Sequence, residues 1–355
     1  MDTETERMEK LSAALIPWFL KEKRRMPWRE DPTPYHVWVS EIMLQQTRVD
    51  TVIPYYTRFI KSLPDIKALA DCPEDRLYKL FEGLGYYSRV RHMQEAAKMI
   101  QEEYGGVFPD TLEDVLRLPG IGSYTAGAIL SIAMDQPVPV VDGNVLRVYA
   151  RVFGDESDIS LENTKKADAA RLGAFLKASD VRPSLFNQGL MELGALVCLP
   201  NGAPHCQSCP AAGFCQAHLK GQTDVLPVKS GKKARRTEEK TVFLLSFRDR
   251  VLIGKRTAPG LLKGLYGFPM ADAFLDEEAA KAFLDDLGLP EAVLTEAEEA
   301  KHIFTHVEWR MRAYRAEVSS EGDPAIFTSR GFFFTEKERL TREFALPGAF
   351  KKWEI

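Results

Sequence analysis

A glycine-rich turn, Leu-Pro-Gly-Ile-Gly at residues 118–122, separates two segments with helical spacing of apolar residues, 112–118 and 124–134. Glycine lets the backbone adopt a positive φ and approach a partner closely. The amides at the start of the second helix can bind an anion such as a DNA phosphate, without reading the base sequence. An ordinary tight turn between packed helices would also explain this string. The sequence therefore predicts a helical hairpin, with phosphate binding as its candidate role.

Size and composition describe a globular protein with two domains. The chain has 355 residues, of which 45% are hydrophobic and 28% charged, and chains of this length usually divide into two cores. No apolar run approaches the length of a membrane span. The acidic start lacks the apolar core of a signal peptide, so we expect a cytoplasmic protein. The formal net charge of −4 does not by itself indicate a nucleic-acid partner.

The chain divides into two regions that differ in their pattern of apolar residues. Residues 8–220 show helical periodicity and no convincing alternation of the strand type. Beyond about residue 225 the pattern predicts one helix and four strands, at 277–287 and at 241–247, 251–254, 302–307 and 312–318. We therefore expect a helical domain at 1–220, a linker at 221–238 and an α+β domain at 239–355. The basic stretch at 229–236 within the linker is expected to be solvated, with a phosphate contact as the alternative.

Four of the five cysteines lie close together in the sequence, at Cys198, Cys206, Cys209 and Cys215. Disulfides are rare in cytosolic proteins of this size, so the quartet predicts a metal site, either zinc or a [4Fe–4S] cluster. Structural zinc usually takes two separated Cys-x-x-Cys pairs. This chain has one such pair, which favours a compact loop around an iron–sulfur cluster. Cys72 stands apart and is expected to be a buried side chain.

Taken together, these features resemble the endonuclease III superfamily of DNA glycosylases, and within it the MutY-type adenine glycosylases, which remove adenine mispaired with 8-oxoguanine. The resemblance covers nearly the whole chain. It implies a mainly α-helical, helix-hairpin-helix glycosylase domain with a [4Fe–4S] loop held by the four cysteines, followed by an α+β, Nudix-like domain. It also implies that Gly120 and Gly122 contact DNA. The first cysteine gap has seven residues where the family usually has six, and a loop can accommodate the extra residue.

Position 124 distinguishes the two chemical branches of this superfamily. Bifunctional members carry a lysine two residues after the second glycine, and its amine attacks the sugar before the DNA strand is cut. Tyr124 occupies this position and cannot form a Schiff base. The resemblance therefore implies a monofunctional glycosylase and argues against a glycosylase/lyase for oxidised pyrimidines.

The resemblance assigns the chemistry to two carboxyl groups. Glu41 matches the family's catalytic glutamate, and its apolar neighbours would raise its pKa so that it can protonate adenine at N7 and then activate water. Taken alone, Glu41 would be an exposed helix residue in contact with Gln45. Asp142 matches the aspartate that stabilises the oxocarbenium-like sugar, and its position before a helix is also typical of an N-cap. Tyr124 and Asn144 would position the sugar and the carboxylates.

The target base must leave the DNA stack to reach these groups. The resemblance implies that Trp28, Arg29 and Gln188 surround the flipped adenine. It also implies that Gln46 and Tyr86 lie in or near the gap left in the duplex. Tyr86 follows a Gly-Leu-Gly turn and could equally be a core aromatic residue.

The C-terminal region resembles the MutT-like, Nudix-fold domain with which MutY proteins inspect the opposite strand. A Nudix hydrolase needs a string of carboxylates to hold Mg²⁺. Where the motif has Glu, Arg, Glu, Glu and Glu, this chain has Ala273, Lys281, Ala282, Asp285 and Asp286. We therefore expect the fold to be kept and hydrolysis to be lost.

A short string in this region, Phe304-Thr305-His306, matches the family's loop that recognises 8-oxoguanine. The family usually has serine where Thr305 stands, and threonine keeps the hydroxyl donor and acceptor. The resemblance thus assigns lesion recognition to Thr305 and His306. The end of an ordinary strand, with its polar side chains hydrogen-bonded within the protein, would explain the same three residues.

The sequence as a whole predicts a monomeric base-excision-repair enzyme that acts on double-stranded DNA containing A opposite 8-oxoguanine or G. We expect it in the cytoplasm, at the nucleoid if the source is bacterial, and without a membrane partner. Two alternatives stay open, a bifunctional glycosylase/lyase and a lesion-binding protein without catalysis. The presence of both Glu41 and Asp142 argues against the second.

Overall fold

The computed structural model describes residues 3–231, 234–319 and 324–353. The chain forms two compact units, one built from residues 1–71 and 91–231 and the other from residues 72–90 and 232–355. The sequence assigned residues 72–90 to the helical domain, whereas the structure groups them with the C-terminal residues.

Helices account for the regular structure up to residue 231. In chain order they are α1 (Glu4–Glu22), α2 (Pro27–Glu30), α3 (Pro34–Leu44), α4 (Val49–Ser62), α5 (Ile66–Asp71), α6 (Glu74–Phe81), α7 (Ser88–Glu103), α8 (Leu112–Arg117), α9 (Ser123–Ala128), α10 (Gly143–Phe153), α11 (Glu162–Ala178), α12 (Pro183–Leu196) and α13 (Gln216–Leu219), with a π-helical turn at Ile129–Ala133 and a 3₁₀ turn at Cys206–Ser208. None of the described helices combines the length and the apolar character that a membrane crossing requires.

The expected helical hairpin is formed by α8 and α9. Thr111 caps α8 by accepting a hydrogen bond from the backbone N–H of Asp114 at 3.1 Å. Gly120 in the turn has a φ of 77°, and a Cβ there would lie 2.7 Å from the Cβ of His92. Only glycine fits this position without movement of its neighbour. The second helix was predicted to run to residue 134, but after Ala128 it continues as the π-helical turn.

The helix α10 packs closely against α12 at the centre of the first unit. Its buried face, which includes Val145, Val148 and Val152, joins a core to which α1, α11 and α12 also contribute. Burial of such side chains contributes about 1.5–3 kcal/mol each. At Gly194 on α12 a Cβ would lie only 2.6 Å from the Cβ of Asn144, so the glycine permits the close approach of the two helices.

The second unit is built around one mixed sheet. Its elements beyond residue 231 are β1 (Arg236–Phe247), β2 (Arg250–Lys255), β3 (Tyr266–Gly267), β4 (Met270–Ala271), α14 (Glu277–Asp286), β5 (Thr295–Ile303), β6 (Val307–Glu317), α15 (Pro324–Ser329), β7 (Phe332–Glu336), α16 (Lys337–Glu343) and a 3₁₀ turn at Phe350–Lys352. The strand order is β3-β2-β1-β6-β5, with β4 paired to β1 and β7 paired to β2. The pairing of β1 with β6 is parallel, and the other pairs are antiparallel.

Both faces of this sheet are buried. Val242 and Leu244 belong to the core on one face, whereas Phe243 and Leu245 belong to the core on the other. Successive side chains of a strand point to opposite faces. A strand covered on both sides therefore appears in the sequence as an unbroken apolar run, as residues 242–245 do.

One sequence prediction is wrong in this region. A strand was expected at 302–307, but Ile303 ends β5, Val307 begins β6, and the backbone N–H of Phe304 donates to the carbonyl of Val307 at 2.8 Å to close a turn. Residues 229–231 and 234–236 of the basic stretch are exposed, as expected. Earlier in the linker, Leu226 is 3% exposed and its carbonyl accepts from the Nε of Arg151 at 2.8 Å. The apolar Leu226 side chain is more stable inside the helical core than in water.

Candidate active site

A cavity of about 450 Å³ opens in the first unit among α2, α3, α9, α10 and α12. The sequence-predicted residues that line it are Trp28, Arg29, Glu41, Tyr124, Asp142, Asn144 and Gln188. The structure therefore brings together, from five helices, both candidate catalytic carboxyl groups and the residues expected around the base.

Glu41 lies on α3 and is only 4% exposed. Its Oε2 accepts a hydrogen bond from the hydroxyl of Tyr124 at 2.7 Å. Burial is the main cause that raises the pKa of Glu41 to about 7, and Asp142 raises it further, while the Tyr124 hydrogen bond and the charge of Arg29 act in the opposite direction. A carboxyl group with a pKa near neutrality can both give and take a proton at the working pH of most enzymes.

Tyr124 is the second residue of α9, so the hairpin turn determines where its hydroxyl lies. Burial, together with the nearby Glu41 and Asp142, raises the pKa of Tyr124 well above its ordinary value. The hydroxyl therefore stays protonated and acts as a donor to Glu41.

Asp142 is held in place by the start of α10. Its Oδ1 accepts from the backbone N–H groups of Asn144 and Val145 at 2.9 and 2.8 Å, and its Oδ2 accepts from the side-chain amide of Asn144 at 2.8 Å. The Oδ1 of Asn144 accepts in turn from Arg147 at 2.8 Å, and Arg147 also donates to the carbonyl of Cys198 at 2.7 Å. The N-cap and the candidate catalytic group are thus the same rigidly held side chain.

Arg29 and Gln188, which also line the cavity, form a hydrogen-bonded pair. The Nε of Arg29 donates to the Oε1 of Gln188 at 3.0 Å, and the Nη2 of Arg29 donates to Glu192 at 3.0 Å. Trp28 packs edge-on against Tyr56 with ring centroids 5.2 Å apart. The sequence analysis missed Glu192; the available signal was its spacing of four residues from Gln188, which puts both on one face of α12.

The four clustered cysteines line one small pocket, which Arg151 also lines. The Sγ of Cys198 accepts from the Nη1 of Arg151 at 3.3 Å. Within residues 3–231, 234–319 and 324–353, no three His, Cys, Asp or Glu side chains are grouped so that they could hold a single metal ion, so the four cysteines share a pocket without meeting at one ligand point. Cys72 lies elsewhere and is buried.

Other predicted residues lie outside the cavity of the first unit. Gln46 is exposed and has a φ of 61° two residues after the end of α3, and Gly120 and Gly122 lie in the hairpin turn. In the second unit, Tyr86 is 48% exposed, so it is not a core residue. Its hydroxyl is hydrogen-bonded to the hydroxyl of Thr305.

Thr305 and His306 are exposed in the turn between β5 and β6. Exposed positions of α14 carry four of the five residues aligned with the Nudix motif, Lys281, Ala282, Asp285 and Asp286, and Ala273 precedes this helix. Asp286 there pairs with Arg330 at 2.6 Å, and Lys281 pairs with Glu277 at 2.8 Å. The side chains of Lys281 and Asp286 are therefore engaged with protein partners.

Comparison with known proteins identifies both units. Residues 39–172 match the HhH-GPD superfamily of base excision DNA repair proteins, and residues 241–353 match the NUDIX domain. The adenine DNA glycosylase of Rattus norvegicus is 34% identical over 95% of this chain and 76% of its own length, and that of Homo sapiens is 36% identical over 96% and 72%.

Solved structures resemble the helical part. A thermostable thymine-DNA glycosylase superposes with a TM-score of 0.56 at 26% identity, covering 62% of this chain and all of that one. Endonuclease III in a trapped DNA complex has a TM-score of 0.51 at 20% identity, covering 62% and 99%, and shares the fold. Fold and site thus define a base excision repair glycosylase of the helix-hairpin-helix class. Within that class, the chain belongs to the adenine DNA glycosylase family.

The substitution Glu41→Gln is expected to stabilise the protein at neutral and alkaline pH. The pKa of Glu41 in the folded state is about 7, above its ordinary value of 4.5. The folded state holds this proton more tightly than the unfolded state does. The contribution of Glu41 to the stability of the wild type is therefore fully present below about pH 4.5 and is lost as the pH rises through 7. Glutamine avoids this loss, which amounts to about 3 kcal/mol.

Thermal unfolding at pH 4.5 and pH 8 measures this difference. The gain of Glu41→Gln over the wild type should be present at pH 8 and nearly absent at pH 4.5. Glu102→Gln, at an exposed position in the same unit, serves as the control and should show no such pH-dependent gain. An equal effect of Glu41→Gln at both pH values would contradict the assignment.

Proposed function

We propose that this protein is a monofunctional adenine DNA glycosylase that removes adenine opposite 8-oxoguanine or G in double-stranded DNA. The observation that carries the proposal is a buried Glu41, hydrogen-bonded to Tyr124, in the same cavity as an anchored Asp142. Its kinship with proteins named adenine DNA glycosylase supports the choice of base.

In the proposed reaction, the protonated carboxyl of Glu41 gives its proton to N7 of the flipped adenine. The C1′–N9 bond then breaks, and its electron pair leaves with the base as neutral adenine. Asp142 stabilises the positive charge that develops on the sugar, because its carboxylate is already oriented by the start of α10. Glu41 next takes a proton from water, whose hydroxide adds to C1′ and completes the hydrolysis.

The DNA strand should remain intact after base removal. Among the described residues that line the cavity none is a lysine, and Tyr124 occupies the superfamily's lysine position. An amine that could attack C1′ is therefore not supplied by this wall, which favours water as the nucleophile.

We assign the remaining predicted residues to recognition. Trp28, Arg29 and Gln188 would contact the flipped adenine, and the exposed backbone at Gly120 and Gly122 would bind a phosphate. Gln46 and Tyr86 would fill the gap in the duplex. The exposure of Tyr86 supports this role.

For the opposite strand, Thr305 and His306 would read 8-oxoguanine. Both are exposed in one turn, and Thr305 keeps a hydroxyl that can donate and accept. We further propose the bounds 1–220, 221–238 and 239–355 as divisions of the sequence, with residues 72–90 of the first range belonging to the second compact unit. We also propose a monomeric state and a location in the cytoplasm, at the nucleoid if the source is bacterial.

A [4Fe–4S] cluster is the cofactor that we propose for the cysteine loop, with Cys198, Cys206, Cys209 and Cys215 as ligands. The four thiols share the wall of one pocket, and the guanidinium of Arg151 lies against one of them. A cationic neighbour suits a cluster of four thiolates, which carries net negative charge. The cluster would hold the loop together and takes no part in the steps above.

The decisive assay uses purified protein and an end-labelled duplex with one A opposite 8-oxoguanine. We expect strand breaks only after hot alkali, because the product is an abasic site. Glu41→Gln should lower the single-turnover rate by about 10²–10⁴-fold, since the acid is lost. Glu102→Gln should cleave at the wild-type rate.

Other outcomes of this assay would support the alternatives. Breaks without alkali would mean that a lyase nucleophile exists in spite of Tyr124. Retained DNA binding with no breaks under either condition would indicate a lesion-binding protein instead of an enzyme.

Metal analysis tests the cofactor. Protein purified without oxygen should contain about four irons and four sulfides per chain. Cys209→Ser should lose most of them, whereas Cys72→Ser, at a cysteine outside the pocket, should keep them. Zinc in place of iron would refute the iron–sulfur cluster and indicate a zinc site at these cysteines.

Thr305→Ala tests recognition of the opposite base. Loss of one hydrogen bond to 8-oxoguanine should lower the preference for A opposite 8-oxoguanine over A opposite G by about tenfold, as measured by single-turnover rates. Thr305→Ser keeps the hydroxyl and should keep the preference. An unchanged ratio in the alanine variant would remove Thr305 from the recognition site.

A further inference from the structure

Glu192 on α12 is a buried carboxylate in the cavity wall, with a side chain only 1% exposed. Its Oε1 accepts from the backbone N and the Nε of Arg24, both at 2.9 Å. Its Oε2 accepts from the Nη2 of Arg24 and the Nη2 of Arg29, both at 3.0 Å. The four acceptor positions of the carboxylate are thus occupied by protein donors, so Glu192 has no capacity left for a substrate.

Glu192 is also unable to act as a proton donor. Burial alone would raise its pKa, but the hydrogen bonds from Arg24 and Arg29 outweigh burial and lower the pKa of Glu192 to about 2. The carboxylate therefore remains charged throughout the pH range in which an enzyme works.

Arg29 connects this inert carboxylate to the rest of the cavity. Its Nη1 donates to the carbonyl of Arg24 at 3.0 Å, and its Nε donates to Gln188 at 3.0 Å. The guanidinium also lies over the ring of Phe19, 5.3 Å from its centroid. Its positive charge acts on Glu41 and lowers the pKa of that carboxyl. Arg29 thus interacts with two carboxyl groups: Glu192, which remains ionised, and Glu41, which must be protonated to act.

We propose that Glu192 is a positioning residue for base release: it fixes Arg29 against Gln188 and balances the positive charge that Arg29 presents to Glu41. The inference rests on the proposed function. If Arg29 lost this counter-charge, it would favour the ionised form of Glu41, and fewer molecules would carry the proton that adenine needs. The adenine-facing pair of Arg29 and Gln188 would also lose one of its anchors.

Other charged groups face the same cavity. Tyr124 and Asp142 act directly on Glu41, as described above. Arg24, Arg48 and Asp50 also line the wall. Of these, Arg24 donates to Glu192 and is 35% exposed at its side chain, so its removal offers a test with the opposite sign.

The main variant is Glu192→Gln, which keeps the shape and one acceptor oxygen but removes the charge. Single-turnover rates on A opposite 8-oxoguanine are measured from pH 5.5 to pH 9. We expect the midpoint of the fall in rate at alkaline pH to move down by about 0.5–1 pH unit. The rate at pH 8 should then fall about three- to tenfold, while the rate at pH 5.5 stays within about twofold of the wild type.

Three further variants separate charge from structure. Glu192→Asp keeps the charge and should keep the wild-type midpoint. Arg24→Gln removes one positive charge from Glu192, so the negative charge of Glu192 is less compensated and the midpoint of the pH profile should move upward. This variant still tests the proposal if Glu192→Gln does not fold. Asp135→Asn is the control, because Asp135 accepts from the backbone N–H of Ser184 at the start of α12 and lies outside the cavity wall. Its profile should match the wild type.

A merely structural role would lower the rate by the same factor at every pH. That result, or an unchanged profile in both Glu192→Gln and Arg24→Gln, would overturn the proposal. A separate measurement follows the protonation of Glu41 by infrared spectroscopy. The carboxyl band of Glu41 is obtained as the difference between spectra with Glu41 and with Glu41→Gln, and it is titrated once in the wild-type background and once in the Glu192→Gln background. This readout needs no turnover, so an inactive wild type would refute the proposed function while the titration still decides the role of Glu192.

Discussion

The buried carboxyl group of Glu41 is the constraint on which the organisation of the helical unit depends. A carboxylate removed from water is costly unless it is protonated or hydrogen-bonded. The chain meets both conditions, with a pKa of about 7 and a hydrogen bond from Tyr124. Burial follows from α3 itself, whose residues Val37, Val39 and Ile42 are buried around most of the helix. A helix that is apolar on all sides must lie inside its domain, so the reactive group sits on a rigid element.

Asp142 completes the pair by the opposite means. Whereas Glu41 is buried among apolar side chains, Asp142 accepts hydrogen bonds from two backbone N–H groups at the start of α10. The helix N-terminus favours negative charge and these two donors orient the Asp142 carboxylate, whereas burial raises the pKa of Glu41 to about 7. This difference makes one suitable as an acid and the other as an electrostatic support for a cation. Neither role requires a side chain to move before the reaction.

Local patterns in the sequence predicted the features that depend on neighbouring residues. The N-cap at Asp142 and the hairpin turn at 118–122 are of this kind, and both are confirmed. Features that depend on distant residues were missed. A single glutamate such as Glu192 carries no local sign that two arginines will surround it. The turn at Phe304–His306 contains neither glycine nor proline, so it was taken for a strand.

The grouping of residues 72–90 with the C-terminal sheet shows how far such distant contacts reach. Lys79 donates to the carbonyl of Phe344 at 3.1 Å, Glu82 pairs with Lys351 at 2.9 Å, and Asp75 pairs with Lys255 at 2.8 Å. These contacts place Tyr86 and Thr305 in one compact unit, although 218 residues separate them in the sequence. The residue proposed to fill the gap in the duplex is therefore coupled to the residue proposed to read the opposite base. A cut in the linker near residue 231 would leave residues 72–90 attached to the helical chain. The units would then not part as two intact pieces.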